Sequence, residues 1–339
     1  MAEDAAPLTF SAVTGAGMLD RRAFLSAAAL AALAPRTAGA QSWPARPVRL
    51  IVPYAPGGTT DAVARISAEA LSRVFGQNVF IENRAGQGTN IGAEFVARAE
   101  PDGYTLLVAT SSTAVGRALY RGLKYDFLSD LAPVSFLVTF PLLFYVPASS
   151  PAKTIADVIA LARQRPGGIS YGTPGVGTIL HLTGELIKRS ANIQMTHVPY
   201  RGDALAIVDT IAGRLDLQIA STAQLDQARA GHVRVIGTST AERLAIAPEI
   251  PPVAQTGLPG FDVRGWFALM APGKTPPDLV NRLSADTIAA LTEPTAKSRL
   301  EAIGTIVAPS TPAALATFLR AEVAKWETVV KEAGIQIDG

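Results

Sequence analysis

The stretch of this sequence whose residue types best suit chemistry is the loop over residues 54–61, where a proline and two adjacent glycines precede two threonines and an aspartate. The loop follows the apolar run 48–52, which is typical of a buried strand. It leads into a helix that we expect to open at Thr60 or Asp61, because apolar residues then recur about every 3.6 positions. A strand that feeds a helix through glycines directs free backbone N–H groups and the positive end of the helix dipole at one place. Such a place attracts anions, so the loop predicts a site for a small carboxylate.

Other polar side chains also follow predicted strands. Residues 110–113 all carry hydroxyl groups, which either cap the next helix or line a cleft. His181 lies on the first turn of a predicted helix, three residues after Thr178, and it either donates a hydrogen bond to a carboxylate or caps the local backbone. The turn 201–203 precedes another helix, and Asp203 either caps that helix or meets a ligand ammonium.

Most catalytic motifs are missing from the sequence. The chain has no cysteine, which excludes disulfides, thiolate zinc sites, cysteine-ligated iron–sulfur clusters and cysteine nucleophiles. Its three histidines are scattered and make no zinc site. Residues 272–275 resemble the end of a phosphate-binding loop, but Ala268 stands where that motif needs a glycine. There is no Gly-x-Ser-x-Gly elbow. These absences weigh against the alternative function, an exported α/β hydrolase or oxidoreductase that acts on a small carboxylate.

Composition predicts a globular protein with one large domain or two ordinary ones. Of the 339 residues, 48% are hydrophobic and 17% are charged, which fits a well-filled core and argues against disorder. The formal net charge is +2 with both signs dispersed, so the sequence gives no case for a nucleic-acid partner or a charged membrane surface.

The N-terminus has the features of an export signal. Arg21 and Arg22 are followed by Phe24 and Leu25, by an apolar segment over 26–34, and by an Ala-Gly-Ala sequence. The paired arginines resemble a twin-arginine signal, which implies export of the folded chain. We predict a signal peptide over residues 1–40 with cleavage after Ala40, and hence a periplasmic protein. Translation can start at Met1 or at Met18, since both precede the arginines.

Alternating strand and helix patterns predict an α/β fold with mainly parallel sheets. The predicted strands are 48–52, 78–83, 104–109, 131–146, 169–172, 195–198, 215–220, 233–237 and 261–271. The predicted helices begin near 60 and cover 91–99, 153–165, 178–190, 204–212, 225–230, 278–291, 296–303 and 312–333. Because the extended runs 131–146 and 261–271 bracket the middle of the chain, we expect two lobes joined by two crossover strands, with Trp266 and Phe267 in the core. Residues 41–140 and 266–339 are assigned to lobe 1 and residues 141–265 to lobe 2, and ligands in such folds bind in the crevice.

The sequence resembles the extracytoplasmic solute-binding receptors of tripartite tricarboxylate transporters, often called Bug receptors. The resemblance covers roughly residues 43–335. It is carried by VRLIVPYAPGGTTD (48–61), VFIENRAGQGTNIGAEFVARAEPDGYTLL (79–107), SYGTPGVGTILHLTGELIK (170–188), HVPYRGDALAIVDTIAGRLDL (197–217) and GLPGFDVRGWFALMAPGKTP (257–276). It implies a two-lobed fold like the type II periplasmic-binding proteins, which closes around a small organic acid without chemistry or cofactor. It further implies a monomer that hands its ligand to membrane subunits, and it leaves dicarboxylates, tricarboxylates, amino acids and aromatic acids open as ligands. A receptor that signals through another partner is a further alternative.

The resemblance also implies ligand contacts at matching positions of this chain. In lobe 1 these are Tyr54, Ala55, Gly57, Gly58, Thr59, Asp61, Ser111 and Ser112. In lobe 2 they are Thr173, Thr178, His181, Arg201, Gly202, Asp203, Ala220 and Ser221. The family often has a Phe-Asp pair where Ile219 and Ala220 stand here, so we expect a changed ligand preference at Ala220.

Overall fold

The computed structural model describes residues 43–120, 122–165, 167–200 and 202–335. The chain divides at Pro44 into an N-terminal unit and one compact unit that continues to Gly339, and every helix and strand named below belongs to the second. The export signal predicted over residues 1–40 lies outside the described residues. Within the described part, no helix is both long and apolar enough to cross a membrane.

Strands and helices alternate along the chain, as the sequence predicted. The strands are β1 (Val48–Val52), β2 (Val79–Asn83), β3 (Thr105–Thr110), β4 (Leu131–Pro141), β5 (Leu143–Pro147), β6 (Ser170–Thr173), β7 (Thr196–Pro199), β8 (Leu217–Ala220), β9 (Val233–Thr238), β10 (Arg264–Pro272) and β11 (Ile306–Val307). The helices are α1 (Thr59–Phe75), α2 (Asn90–Ala97), α3 (Ser111–Leu119), α4 (Ile155–Gln164), α5 (Ile179–Ala191), α6 (Asp203–Ile211), α7 (Leu225–Arg229), α8 (Val253–Thr256), α9 (Pro277–Thr292), α10 (Pro294–Ala302) and α11 (Pro312–Ala333). Short 3-10 segments cover Gln87–Thr89 and Thr222–Gln224.

Local sequence explains where these helices begin and end. Thr154 caps α4 in a capping box with Asp157, so the first orphan N–H groups of that helix are satisfied by side chains. Thr311 caps α11, and Pro312 occupies its first position, where a missing N–H costs nothing. The same helix ends at Gly334, whose left-handed backbone suits a residue without Cβ.

Each lobe is built on one mixed sheet. Lobe 1 has the strand order β2-β1-β3-β10-β4-β11, and lobe 2 has the order β7-β6-β8-β5-β9. The strand–helix units give the parallel pairs, β1 with β2 and β3, and β6 with β7 and β8. The crossover strands β4, β5 and β10 add antiparallel pairs. The parallel strands of each sheet therefore end at one edge, where their loops can share a crevice.

The chain crosses between the lobes twice, and Ser239 forms hydrogen bonds to both crossings. The first crossing is at Leu142, which separates β4 from β5 and splits the single extended run predicted over 131–146. The second precedes β10, which begins at Arg264, three residues later than predicted. Fully buried Ser239 accepts a hydrogen bond from the Leu142 N–H (3.0 Å) through Oγ and donates from Oγ to the Val263 carbonyl (2.6 Å).

Helix α11 packs against the cores of both lobes. Its first half places Leu315, Leu319 and Val323 in an apolar cluster with residues of β1, β3 and β10. Its second half places Trp326, Val329 and Val330 in a cluster with residues of β5, β6 and α5. The end of the chain, which the sequence assigned to lobe 1 as a whole, thus also contributes to the core of lobe 2.

We predict that Trp326→Ala destabilises the protein by about 3–5 kcal/mol, because it removes a fully buried indole from the lobe 2 cluster. The free energy of unfolding, measured by urea denaturation, checks this value. Thr328→Ala changes an exposed residue of the same helix and is expected to stay within about 0.5 kcal/mol of wild type. Equal losses in the two variants would contradict the role of α11 in the lobe 2 core.

Candidate functional site

A cavity of about 490 Å³ lies between the two lobes. Lobe 1 contributes the loop before α1, the start of α3, two aromatic residues of the crossover strands and the loop after α10. Lobe 2 contributes the loops that precede α5, α6 and the segment Thr222–Gln224. The aromatic residues are Phe140 and Phe267, whose ring centroids are 5.1 Å apart, and they give the cavity an apolar wall.

Five helical segments begin at this cavity. The residue immediately before each segment lines the cavity: Gly58 before α1, Thr110 before α3, Thr178 before α5, Gly202 before α6 and Ser221 before Thr222–Gln224. Because the glycines have no side chain, α1 and α6 lack a side-chain cap. Their first N–H groups are left for water or a ligand, and their dipoles place partial positive charge at the cavity.

The carboxylate of Asp61 holds the lobe 1 loop in place from behind. It accepts hydrogen bonds from the Gly57 N–H (3.1 Å), the Arg65 guanidinium (2.8 Å) and the Asn83 amide (3.0 Å). The bond from Arg65 is the main reason that the pKa of Asp61 is lowered. Gly57 has φ +94°, a left-handed conformation that disfavours other residues. Gly57 and Asp61 do not line the cavity, and they position the residues that do.

The hydroxyl residues at the end of β3 both cap a helix and line the cavity. Thr110 accepts from the Thr113 N–H at 3.4 Å and so caps α3. The Ser111 hydroxyl accepts from the buried backbone N–H of Trp266 at 3.0 Å. Burial raises the pKa of Tyr54, which also lines the cavity, and hydrogen bonds to Ser112 and Thr110 oppose that rise. The two sequence interpretations of this cluster are therefore compatible.

His181 does not line the cavity in this structure. Its ring is buried in lobe 2, where Nδ1 accepts a hydrogen bond from the Gly177 N–H at 3.2 Å. Thr178 lines the cavity and accepts from the His181 N–H at 3.2 Å. The sequence-based role of His181 as a ligand contact stays a prediction, whereas its role in ordering the loop before α5 is visible.

The imidazoles of His181 and His197 stack with ring centroids 4.0 Å apart. Burial lowers the pKa of His181 to about 4 and that of His197 to about 3, because neither protonated ring is well solvated there. Glu185 lies 4.0 Å from His181 Nε2 and partly opposes this effect, while Lys188 adds to it. The Thr173 hydroxyl forms a hydrogen bond of 2.7 Å with His197 Nε2 and lies 3.3 Å from the Gly175 carbonyl oxygen.

The start of α6 presents a carboxyl group to the cavity. Asp203 Oδ2 accepts from the Ser221 N–H at 3.3 Å and from the Ser221 hydroxyl at 3.1 Å. Burial raises the pKa of Asp203, and the two bonds from Ser221 oppose the rise. Among the described residues that line the cavity, only Asp203 and Tyr54 have ionisable side chains, a carboxyl and a phenol.

A hydrogen bond joins the two lobes across the cavity. The Thr222 hydroxyl donates to the Gly304 carbonyl at 3.3 Å. A Cβ at Gly304 would lie 2.2 Å from Thr222 Oγ1, and Gly304 has φ +79°, so only glycine allows this approach.

The structure brings most of the predicted site residues together. Tyr54, Ala55, Gly58, Thr59, Ser111, Ser112, Thr178, Gly202, Asp203 and Ser221 line the cavity. Gly57, Asp61, Thr173, His181 and Ala220 do not, and Arg201 lies outside the described residues. Ala220 is fully buried in an apolar cluster with Leu143 and Tyr145.

Sequence reasoning missed the apolar wall and the loop after α10. Phe140 and Phe267 lie on crossover strands whose apolar pattern is the same for core and cavity positions, so Phe267 was expected in the core. It is nearly buried and also lines the cavity, whereas Trp266 is a core residue as predicted. Ile303 and Gly304 carried no polar pattern that signals a site.

Comparisons with known proteins point to one family. The family model described as tripartite tricarboxylate transporter family receptor matches residues 63–335. The BugT protein of Bordetella pertussis is 33% identical over 317 residues, which cover 93% of this chain and 96% of BugT. Among solved structures, R. palustris Rpa4515 with adipate is 36% identical and has a TM-score of 0.77, covering 87% of this chain and all of that one. MatC from Rhodopseudomonas palustris with bound malate is 31% identical and has a TM-score of 0.73, covering 85% of this chain and all of that one.

The stacked histidines predict a loss of stability in mild acid. Both folded-state pKa values lie below the usual value of about 6.5, so the unfolded chain binds more protons. The stabilisation is complete above pH 6.5 and is lost as the pH falls toward 4 and 3. We expect the free energy of unfolding in urea to fall by about 4 kcal/mol between pH 7.5 and pH 5.0, with about 2 kcal/mol from each ring.

Two glutamine variants isolate this effect. His197→Gln keeps a hydrogen-bonding side chain beside Thr173 and removes one titrating ring, so the loss between the two pH values should be about half that of wild type. His232→Gln changes an exposed histidine and should keep the full loss. An undiminished loss in His197→Gln would contradict the assignment.

Proposed function

The chain belongs to the tripartite tricarboxylate transporter receptor family, and from this premise we propose that it captures a small organic carboxylate in the cavity between its lobes. Membership confirms the resemblance to Bug receptors, and with it a two-lobed α/β receptor fold rather than an enzyme. The single observation that carries the proposal is the convergence of five helix starts on one cavity.

The electrostatics of the cavity suit an anion. No lysine or arginine is among the described residues that line it, so a bound carboxylate would be stabilised by backbone N–H groups and hydroxyls. Oriented N–H groups and helix N-termini supply this partial positive charge without a formal cation. Two structural relatives are described with adipate and with bound malate, and both ligands are small dicarboxylic acids.

Binding is proposed to favour closure of the lobes. A ligand that contacts the loop before α1 and the loops before α5 and α6 gains interactions only when both lobes meet it, and such differential contact shifts the population of conformers. The Thr222–Gly304 hydrogen bond joins the lobes at the same cavity and would add to the closed form.

Localisation and partners follow from the family and the predicted signal. We propose that the chain is exported to the periplasm, with cleavage after Ala40, and works there as a monomer. It would then pass its ligand to the membrane subunits of a tripartite transporter.

The capture of a carboxylate is tested with Thr59→Pro. Thr59 is the first residue of α1 and is exposed at the cavity, so proline there keeps the helix but removes one N–H donor. Binding of adipate, malate, succinate and citrate to the mature chain is measured by thermal shift and calorimetry. We expect wild type to be stabilised by one or more of these acids, and the Kd to rise about tenfold in Thr59→Pro, as for a lost bond to a charged group.

Thr59→Ala is the matched control, since it removes the same side chain and retains the N–H. It should bind more tightly than Thr59→Pro. Absence of stabilisation by every acid would overturn the proposed function, and turnover of one would favour the enzyme alternative. Equal affinities in the two variants would show that the amides of α1 do not hold the ligand.

The contact between the lobes is tested with Thr222→Val, which removes the hydroxyl donor and keeps the shape. We expect about a fivefold rise in Kd, the effect of one neutral hydrogen bond, and a larger radius of gyration of the bound form in X-ray scattering. Thr222→Ser retains the donor and should behave like wild type. Unchanged affinity and dimensions in Thr222→Val would show that the bond does not hold the closed form.

A further inference from the structure

One carboxyl oxygen at the cavity has no hydrogen-bond partner. Asp203 Oδ2 is occupied by two bonds from Ser221, but Oδ1 is buried and has no partner among the described residues. An acceptor buried without a donor is unfavourable, and native structures rarely leave one so unless something absent supplies the donor.

The backbone that carries this carboxyl group is held in place by a buried glutamine. Gln218 donates from Nε2 to the Asp203 carbonyl at 3.2 Å, and Gln218 Oε1 in turn accepts from the Thr210 hydroxyl at 3.0 Å. Gln218 and Thr210 are fully buried. Since Ser221 also fixes the side chain, Asp203 cannot easily turn away to find a donor elsewhere.

Asp203 lines the cavity and is itself only partly buried, although its Oδ1 atom is covered. Because the described residues around Oδ1 offer no donor, a ligand in the cavity is the group best placed to supply one. A plain carboxylate ligand would bring a second acceptor and a second negative charge toward this group. A ligand with a donor group would satisfy Oδ1 and offset the repulsion.

We infer that the ligand of this receptor carries an ammonium or hydroxyl group besides its carboxylate, and that Asp203 Oδ1 accepts a hydrogen bond from that group. The inference rests on the proposed function and adds a second recognition point to it. The amides of lobe 1 hold the carboxylate, and Asp203 of lobe 2 selects a 2-amino or 2-hydroxy acid. Specificity then lies at Asp203 and Ser221 rather than at the buried Ala220.

Two series of acids that differ only at C2 test the inference. Succinate, malate and aspartate share four carbons, and adipate, 2-hydroxyadipate and 2-aminoadipate share six. Calorimetry with the mature chain is expected to give a Kd at least about tenfold lower for an amino or hydroxy member than for the unsubstituted member of the same series. The comparison of amino with hydroxy members identifies which donor is used.

Variants locate the preference. Asp203→Ala should abolish it, because no acceptor then remains for the donor group at C2. Asp203→Asn keeps the size but removes the charge, and should weaken the amino member more than the hydroxy member. Asp226→Asn, a change at an exposed aspartate of the same lobe, should retain the full preference, and thermal denaturation confirms that each variant is folded.

Several results would overturn the inference. Tightest binding of the unsubstituted acids, strengthening as the pH falls, would mean that a protonated Asp203 donates to a second carboxylate. A preference that survives in Asp203→Ala would place selection elsewhere. In each case acids still bind, so the proposed function stands. Failure of every acid to bind wild type would remove both proposals.

Discussion

The need to satisfy the first N–H groups of helices governs this structure. Each strand–helix unit leaves such groups at the end of a strand, and the parallel parts of the two sheets bring those ends to one crevice. At the cavity, Thr110, Thr178 and Ser221 cap the segments that follow them with their side chains. Gly58 and Gly202 cannot, and α1 and α6 have no side-chain cap. These two helices, one in each lobe, therefore leave N–H groups at the cavity that still need an acceptor.

Many of the other polar contacts hold these loops in the conformation that leaves the first N–H groups of the helices free. Asp61 ties the glycine loop of lobe 1 to α1 and β2, and Thr178 and the His181 ring order the loop before α5. Ser221 and Gln218 fix the first turn of α6. None of this requires a buried lysine or arginine at the described part of the cavity wall. An anion held by dipoles, as proposed for this cavity, could be released without separating a salt bridge.

The sequence predicted the order of strands and helices well, because periodicity and glycine turns are local signals. Residues at helix starts, such as Gly58 and Ser111, carry the same local signal, and they line the cavity; their contact with a ligand stays a prediction. His181 and Ala220 carry equally plausible local signals, yet their side chains point into lobe 2, and only the packing against His197 and Leu143 decides that. Phe267, Gly304 and the two-residue strand β11 depend on contacts between distant segments, which no local pattern encodes.

Helix α11 has a geometric consequence for any motion of the lobes. It is 22 residues long, or about 33 Å at the usual rise, and its two halves are embedded in different cores. A helix resists bending, so Leu319 and Trp326 must keep their separation while one lobe turns relative to the other. The pivot of that rotation must then run close to the axis of α11. Displacement grows with distance from a pivot, so the closure proposed above would open and close the cleft most on the side that faces away from this helix.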